Sequence, residues 1–154
     1  MNQQTPGQLL RRVALAAVLS IAASGCGGEA EPPRQEQRAE EAARAAVILA
    51  PADGDTLAGP DVLVRLAAEG IELQPAGTDL PNTGHLHLYI NRDLTPEGEP
   101  IPSQEGIVHL GKAQTEYLLA GLAPGAYTVV AVIGDHLHVR IPGVATDTVR
   151  ITVR

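Results

Sequence analysis

Beyond residue 46 the chain alternates short apolar runs with clusters of Gly, Pro, Asp and Asn. The runs AVILA (46–50), DVLVRLAA (61–68), HLHLYIN (85–91), TEYLLA (115–120), AYTVVAVI (126–133) and DTVRITV (147–153) are rich in aliphatic and β-branched residues. Helical periodicity is absent, and turn signals return roughly every ten residues, which predicts strands. A shorter strand is expected at GIVHL (106–110). About seven short strands at this spacing predict an all-β fold, an immunoglobulin-like antiparallel β-sandwich. Within LAPGAYTVV, residues Leu122, Pro124, Gly125 and Tyr127 read as a tyrosine corner, the phenol bonding back to nearby backbone.

The pattern before residue 47 is different. Arg11 and Arg12 precede VALAAVLSIAA (13–23), an apolar stretch of signal-peptide length and too short for a lasting membrane span. It ends in ASGC, where small residues lead to the only cysteine, Cys26. This resembles the lipobox of bacterial lipoproteins, with Ala23 where leucine is commonest. Residues 1–25 are therefore expected to be a lipoprotein signal peptide and Cys26 the lipidated first residue of the mature chain. Ordinary cleavage leaving a free thiol is the alternative, but a lone thiol is a liability in an exported protein. The remainder of 26–46 is Gly, Pro, Glu, Gln and Arg with little to bury, the composition of a flexible linker. Residues 47–154 are expected to fold as one domain, large enough to bury a core without staples.

In the strand HLHLYIN, alternation puts Leu86, Leu88 and Ile90 on the core face and His85, His87 and Tyr89 on the other. The same alternation in GDHLHV separates His136 and His138 from Leu137 and Val139. In an immunoglobulin-like sandwich the connections 70–84 and 134–146 leave the same end, so the two pairs should approach each other. His109, before the fourth major strand, can reach that end too. The chain has five histidines, and these are all five. Two imidazoles about 6.5–7 Å apart along a strand can converge on one ion. Against this stands the plainer reading, in which solvent-facing strand positions simply take polar residues.

Composition narrows the chemistry. Without the leader, nine basic residues face eighteen acidic ones, a net charge of about −9, which favours cations and disfavours nucleic acid or anionic lipid surfaces. With no Trp and no Phe there is no aromatic stacking platform. With Cys26 lipidated and Met1 removed, no soft sulfur ligand remains. An imidazole set, with Asp135 or another carboxylate, then suits Cu(II) or Zn(II), with Ni(II) also compatible. No organic cofactor is implied. Three histidines plus water would leave an open position, and four or five would close the site. No serine lies in a nucleophile-elbow context, and Glu97, Glu99 and Glu105 in TPEGEPIPSQEG read as solvated surface.

The segments PADGDTLAGPDVLV, PAGTDLPNTGHLHLYIN, PIPSQEGIVHLGKAQTE, LAPGAYTV, GDHLHV and ITV together resemble a bacterial family of small exported proteins. The family is a domain of unknown function, number forty-three ninety-nine, and the resemblance covers nearly all of 48–154. Its pattern carries histidines matching His85, His87, His109, His136 and His138. The family commonly has three consecutive histidines where this chain has Leu86 in the middle, and often one more where this chain reads RIPGV. The resemblance implies the fold and the importance of the cluster, and implies no activity.

The expectation is an envelope lipoprotein held on the membrane through Cys26, binding a divalent metal through His85, His87, His136 and His138 with His109 assisting. Gly27 after the cysteine points to the outer membrane, facing the periplasm, if the source is Gram-negative. Two alternatives stand beside it: a non-catalytic adhesion or scaffolding module without metal, and a metalloenzyme of dismutase-like character. Nothing recognisable as a bridging histidine or an acidic active-site pattern supports the second, so no enzyme activity is expected.

Overall fold

The computed structural model describes residues 44–154. The expected signal peptide, Cys26 and nearly all of the linker lie outside the described residues. Nine strands follow in order: β1 (Ala45–Ala50), β2 (Thr56–Leu57), β3 (Val62–Glu69), β4 (Glu72–Leu73), β5 (Thr83–Ile90), β6 (Ile107–Leu110), β7 (Glu116–Leu119), β8 (Gly125–Gly134) and β9 (Asp147–Val153). No helix occurs among the described residues. The seven strands expected from the sequence are all present. The additions, β2 and β4, have two residues each and pair parallel to β9 and β5 at the sheet margins.

One sheet has the order β1-β3-β7; the other runs β2-β9-β8-β5, with β4 and β6 both pairing with β5. The long pairings are antiparallel. This is an immunoglobulin-like sandwich. Strand β3 shows the period that builds it: Val62, Val64 and Leu66 point inward and are buried, while Leu63 and Arg65 point out. From the facing sheet come Leu86 and Leu88 of β5, Val129, Ala131 and Ile133 of β8, and Val149, Ile151 and Val153 of β9. The tyrosine corner also forms, with Tyr127 Oη donating to Ala123 O at 2.9 Å.

The outer face of the larger sheet is where the structure departs from simple alternation. Tyr89, Val130 and Val132 sit on that face, yet all are buried, in a second cluster completed by Ile101 with Leu94 and Ile107 against it. Residues 91–106, the connection from β5 to β6, fold back over the sheet as a strap. Its backbone is zipped to the segment after β8: Gly98 N donates to Arg140 O at 2.9 Å, Arg140 N to Glu99 O at 3.0 Å, and Ile101 N to His138 O at 2.7 Å. Burial of the Ile101 side chain contributes about 1.5–3 kcal/mol toward holding the strap down. Tyr89 Oη meets Thr95 Oγ1 at 2.7 Å, and Arg140 Nη1 donates to Thr95 O at 2.7 Å. Glu97 is a fastening of this strap and not merely solvated surface, lying 3.5 Å from Arg140 Nη2 and accepting from Gly143 N at 3.1 Å.

Candidate metal centre

Strand geometry fixes the first three rings. His85 and His87 project from the outer face of β5, and the antiparallel register with β6 sets His109 directly opposite His87. The strap roofs this face, so His85 is only 1% exposed and His87 2%. They are buried histidines, and the reading that they occupy a wet sheet face fails for both.

A turn supplies the fourth ring. Asp135 Oδ1 accepts from Leu137 N at 2.8 Å and Val139 N at 2.9 Å, and His138 N donates to Asp135 O at 2.9 Å. Residues 136–138 therefore curl around the Asp135 carboxylate instead of continuing β8. His138 takes up a left-handed conformation (φ 64°), uncommon for a residue with a Cβ. The curl breaks the expected strand alternation and sends the two histidines apart. His138 joins the rings on the sheet. His136 does not: its Nδ1 lies 3.7 Å from Asp79 Oδ1. It lines a separate cavity of about 230 Å³ with Arg44, Asn82 and Ile141.

The four rings of His85, His87, His109 and His138 are mutually adjacent, with every pair of centroids between 4.6 and 5.8 Å apart. Nε2 of His87 faces Nε2 of His85 at 3.0 Å, and Nε2 of His138 faces Nε2 of His109 at 3.1 Å. Four nitrogens placed tetrahedrally at about 2.0–2.1 Å from an ion stand roughly 3.3–3.4 Å apart. The two facing pairs are within a few tenths of an ångström of that spacing. His85, His87 and His109 alone offer ligand nitrogens within 4.8 Å of one another, a triad able to hold a metal ion.

Burial also prepares the rings electronically. Desolvation, then repulsion from His138 and His109, lowers His85 to about 4, with Asp135 opposing the shift. Desolvation and the three neighbouring rings lower His87 to about 3. His109 is lowered as well, by burial and then by His138. At neutral pH these three rings are uncharged, the state in which imidazole ligates. His87 Nδ1 is buried and meets no hydrogen-bond partner among the described residues.

Two glycines, unremarked in the sequence, make room for the rings. A Cβ at Gly111 would fall on the His109 imidazole, and one at Gly134 would come within 3.1 Å of both His87 Nε2 and Ile101 Cδ1. A cavity of about 190 Å³ abuts the cluster, walled by His87, His109 and His138 and by Ile101, Pro102, Ser103 and Ile107.

All five histidines lie within residues 64–154, which match the family described as a domain of unknown function, DUF4399. The chain belongs to the DUF4399 family. Curated proteins provide no match to this DUF4399 chain. Among solved structures it is similar to an endo-β-1,4-mannanase from Thermotoga petrophila, at 18% identity and a TM-score of 0.40. That match covers 72% of this chain and 20% of the mannanase chain, so the DUF4399 protein spans about a fifth of that relative. An engineered protein is similar at 15% identity and a TM-score of 0.41, over 72% of this chain and 20% of that one. The PKD domain of human KIAA0319 is similar at 16% identity and a TM-score of 0.34, over 84% of this chain and 92% of that domain.

Proposed function

We propose that this DUF4399 protein is an envelope lipoprotein whose sandwich binds a divalent transition metal, Cu(II) or Zn(II), through His85, His87, His109 and His138. One observation carries the metal reading. Imidazoles from three separate segments are mutually adjacent, His85 and His87 meeting through Nε2 at 3.0 Å and His109 and His138 at 3.1 Å. Four imidazole nitrogen donors with no sulfur suit Cu(II) and Zn(II). The anchoring half rests on the basic, apolar and small-residue run that ends at Cys26. Acylation at more than one site holds a protein on a membrane, where a single chain holds it only marginally. No catalytic step is assigned to the site.

A second reading is favoured by His87 Nδ1. Ligating histidines almost always donate their other ring N–H to an acceptor, and His87 lacks one among the described residues. On that reading the rings pair through N–H···N bonds and the cluster is a polar latch in a non-catalytic adhesion or scaffolding module.

Competition titration of the protein with Zn(II) and Cu(II) against a chromophoric chelator separates the two. The metal reading predicts one tight site, weakened at least tenfold by His138→Ala and unchanged by His136→Ala. Binding no tighter than that of a surface histidine pair, or equal loss in both variants, defeats it. For the anchor, Cys26→Ser should release the protein from the membrane fraction, and a variant that stays bound refutes it.

A further inference from the structure

The cavity beside the cluster carries a deeper reading of the same site. It touches three of the four rings, His87, His109 and His138, but not His85. The cavity therefore gives access to an ion held where the rings converge. The other walls are Ile101, Pro102 and Ile107, with the Ser103 hydroxyl the sole uncharged polar side chain besides the rings. No acidic or basic side chain other than the imidazoles lines it.

Charge decides what such a space should hold. Four imidazoles bind a metal without neutralising it, so the ion keeps its full double charge between the buried rings of His85 and His87 and the exposed ring of His109. An uncompensated buried charge is costly unless a counter-charge is close. Asp135 is the one carboxylate acting electrostatically on His85, and its Oδ1 is already engaged by two backbone N–H groups. The cavity itself brings no carboxylate toward the ion. Both Cu(II) and Zn(II) accept a fifth ligand beyond four nitrogens.

Size sets the class of that ligand. Sites for drug-sized molecules measure about 300–1,000 Å³, so a cavity of about 190 Å³ is too small for one. A water needs about 10–15 Å³ of such space, which leaves room for an anion of a few heavy atoms.

We propose that this cavity seats a small anion, such as a halide, azide or a one- or two-carbon carboxylate, bound directly to the metal held by the four histidines. The proposal rests on the metal reading above, and the experiment distinguishes failure of one from failure of the other. The protein is loaded with Cu(II), freed of excess metal and titrated with azide while absorption and electron paramagnetic resonance are recorded. An azide-to-copper charge-transfer band and a saturating change in the resonance parameters are expected. Ser103→Trp, which fills the cavity from its exposed rim, should weaken azide binding at least tenfold and leave the azide-free copper spectrum unchanged. A histidine-type copper spectrum that azide does not alter overturns the anion site alone. Absence of any such copper spectrum overturns the metal reading and the anion site together. An azide response of full strength in Ser103→Trp, with the copper spectrum intact, removes the cavity as its location.

Discussion

Lowering the pH from 7 to 5 in the absence of metal should destabilise this protein through its buried histidines. His85 and His87 ordinarily titrate near 6.5 but are held down to about 4 and about 3 in the folded state, first by burial. At pH 5 the unfolded chain therefore binds two protons that the folded chain refuses. Stability rises with pH wherever the unfolded state holds more protons. The contribution is thus fully present above about 6.5 and is lost progressively as pH falls toward the folded values. Each histidine sits about 1.5 units above pH 5 when unfolded, and at 1.36 kcal/mol per unit each costs about 2 kcal/mol, or about 4 kcal/mol for the two. His109 is shifted in the same direction and adds to the loss. Domains of this kind have only about 5–15 kcal/mol in total.

Urea denaturation with a chelator present, followed by circular dichroism at pH 7 and pH 5, measures this directly. With a denaturant slope of about 1–2 kcal/mol per molar, the midpoint should fall by about 2–4 M. His87→Leu, which removes one titrating ring, should shrink the pH effect by about half. A midpoint that moves by less than about 0.5 M, or a leucine variant that keeps the whole effect, would refute the assignment of these rings as buried and neutral.

Three further outcomes follow from the same geometry. Gly111→Ala drives a methyl group into the His109 ring and should weaken Zn(II) binding about 10–100-fold, as loss of a ligand-orienting contact does; competition titration with the fold monitored by circular dichroism checks it. Asp135→Ala removes the acceptor for Leu137 N and Val139 N, so His138 should lose its position, with Zn(II) affinity falling as in His138→Ala and hydrogen exchange rising at residues 137–139. Tyr127→Phe removes the bond to Ala123 O and should cost about 0.5–1.5 kcal/mol in urea denaturation with metal affinity unchanged, because the corner lies at the start of β8 and the rings lie by its other end.

The fold was legible because period-two alternation and recurrent turn residues act locally, strand by strand. The convergence of distant histidines was legible through topology, which carries β5 and the end of β8 to one place. Two features were not. One is the cover on the outer sheet face: alternation marks a face as polar or apolar but does not say what folds over it. A signal existed, since YTVVAVI in β8 is apolar on both faces, a mark of strands buried on both sides. Ile101 in the strap is the partner it required. The other is the choice of ring after β8. Treating 136–139 as strand put His136 and His138 on one face, whereas Asp135 collects the backbone N–H groups of the next residues into a turn, a habit of Asp at such positions. Gly111 and Gly134 escaped notice because the space a missing side chain leaves depends on neighbours that only the folded register supplies.

The central claim is that imidazoles from β5, β6 and the turn after β8 surround a single ion. X-ray absorption at the zinc edge of the Zn(II)-loaded protein tests it most directly. Four imidazole nitrogens at about 2.0–2.1 Å are predicted, falling to three in His138→Ala and staying at four in His136→Ala. A shell of oxygen ligands with one or two imidazoles, or the loss of an imidazole in His136→Ala, would contradict the account.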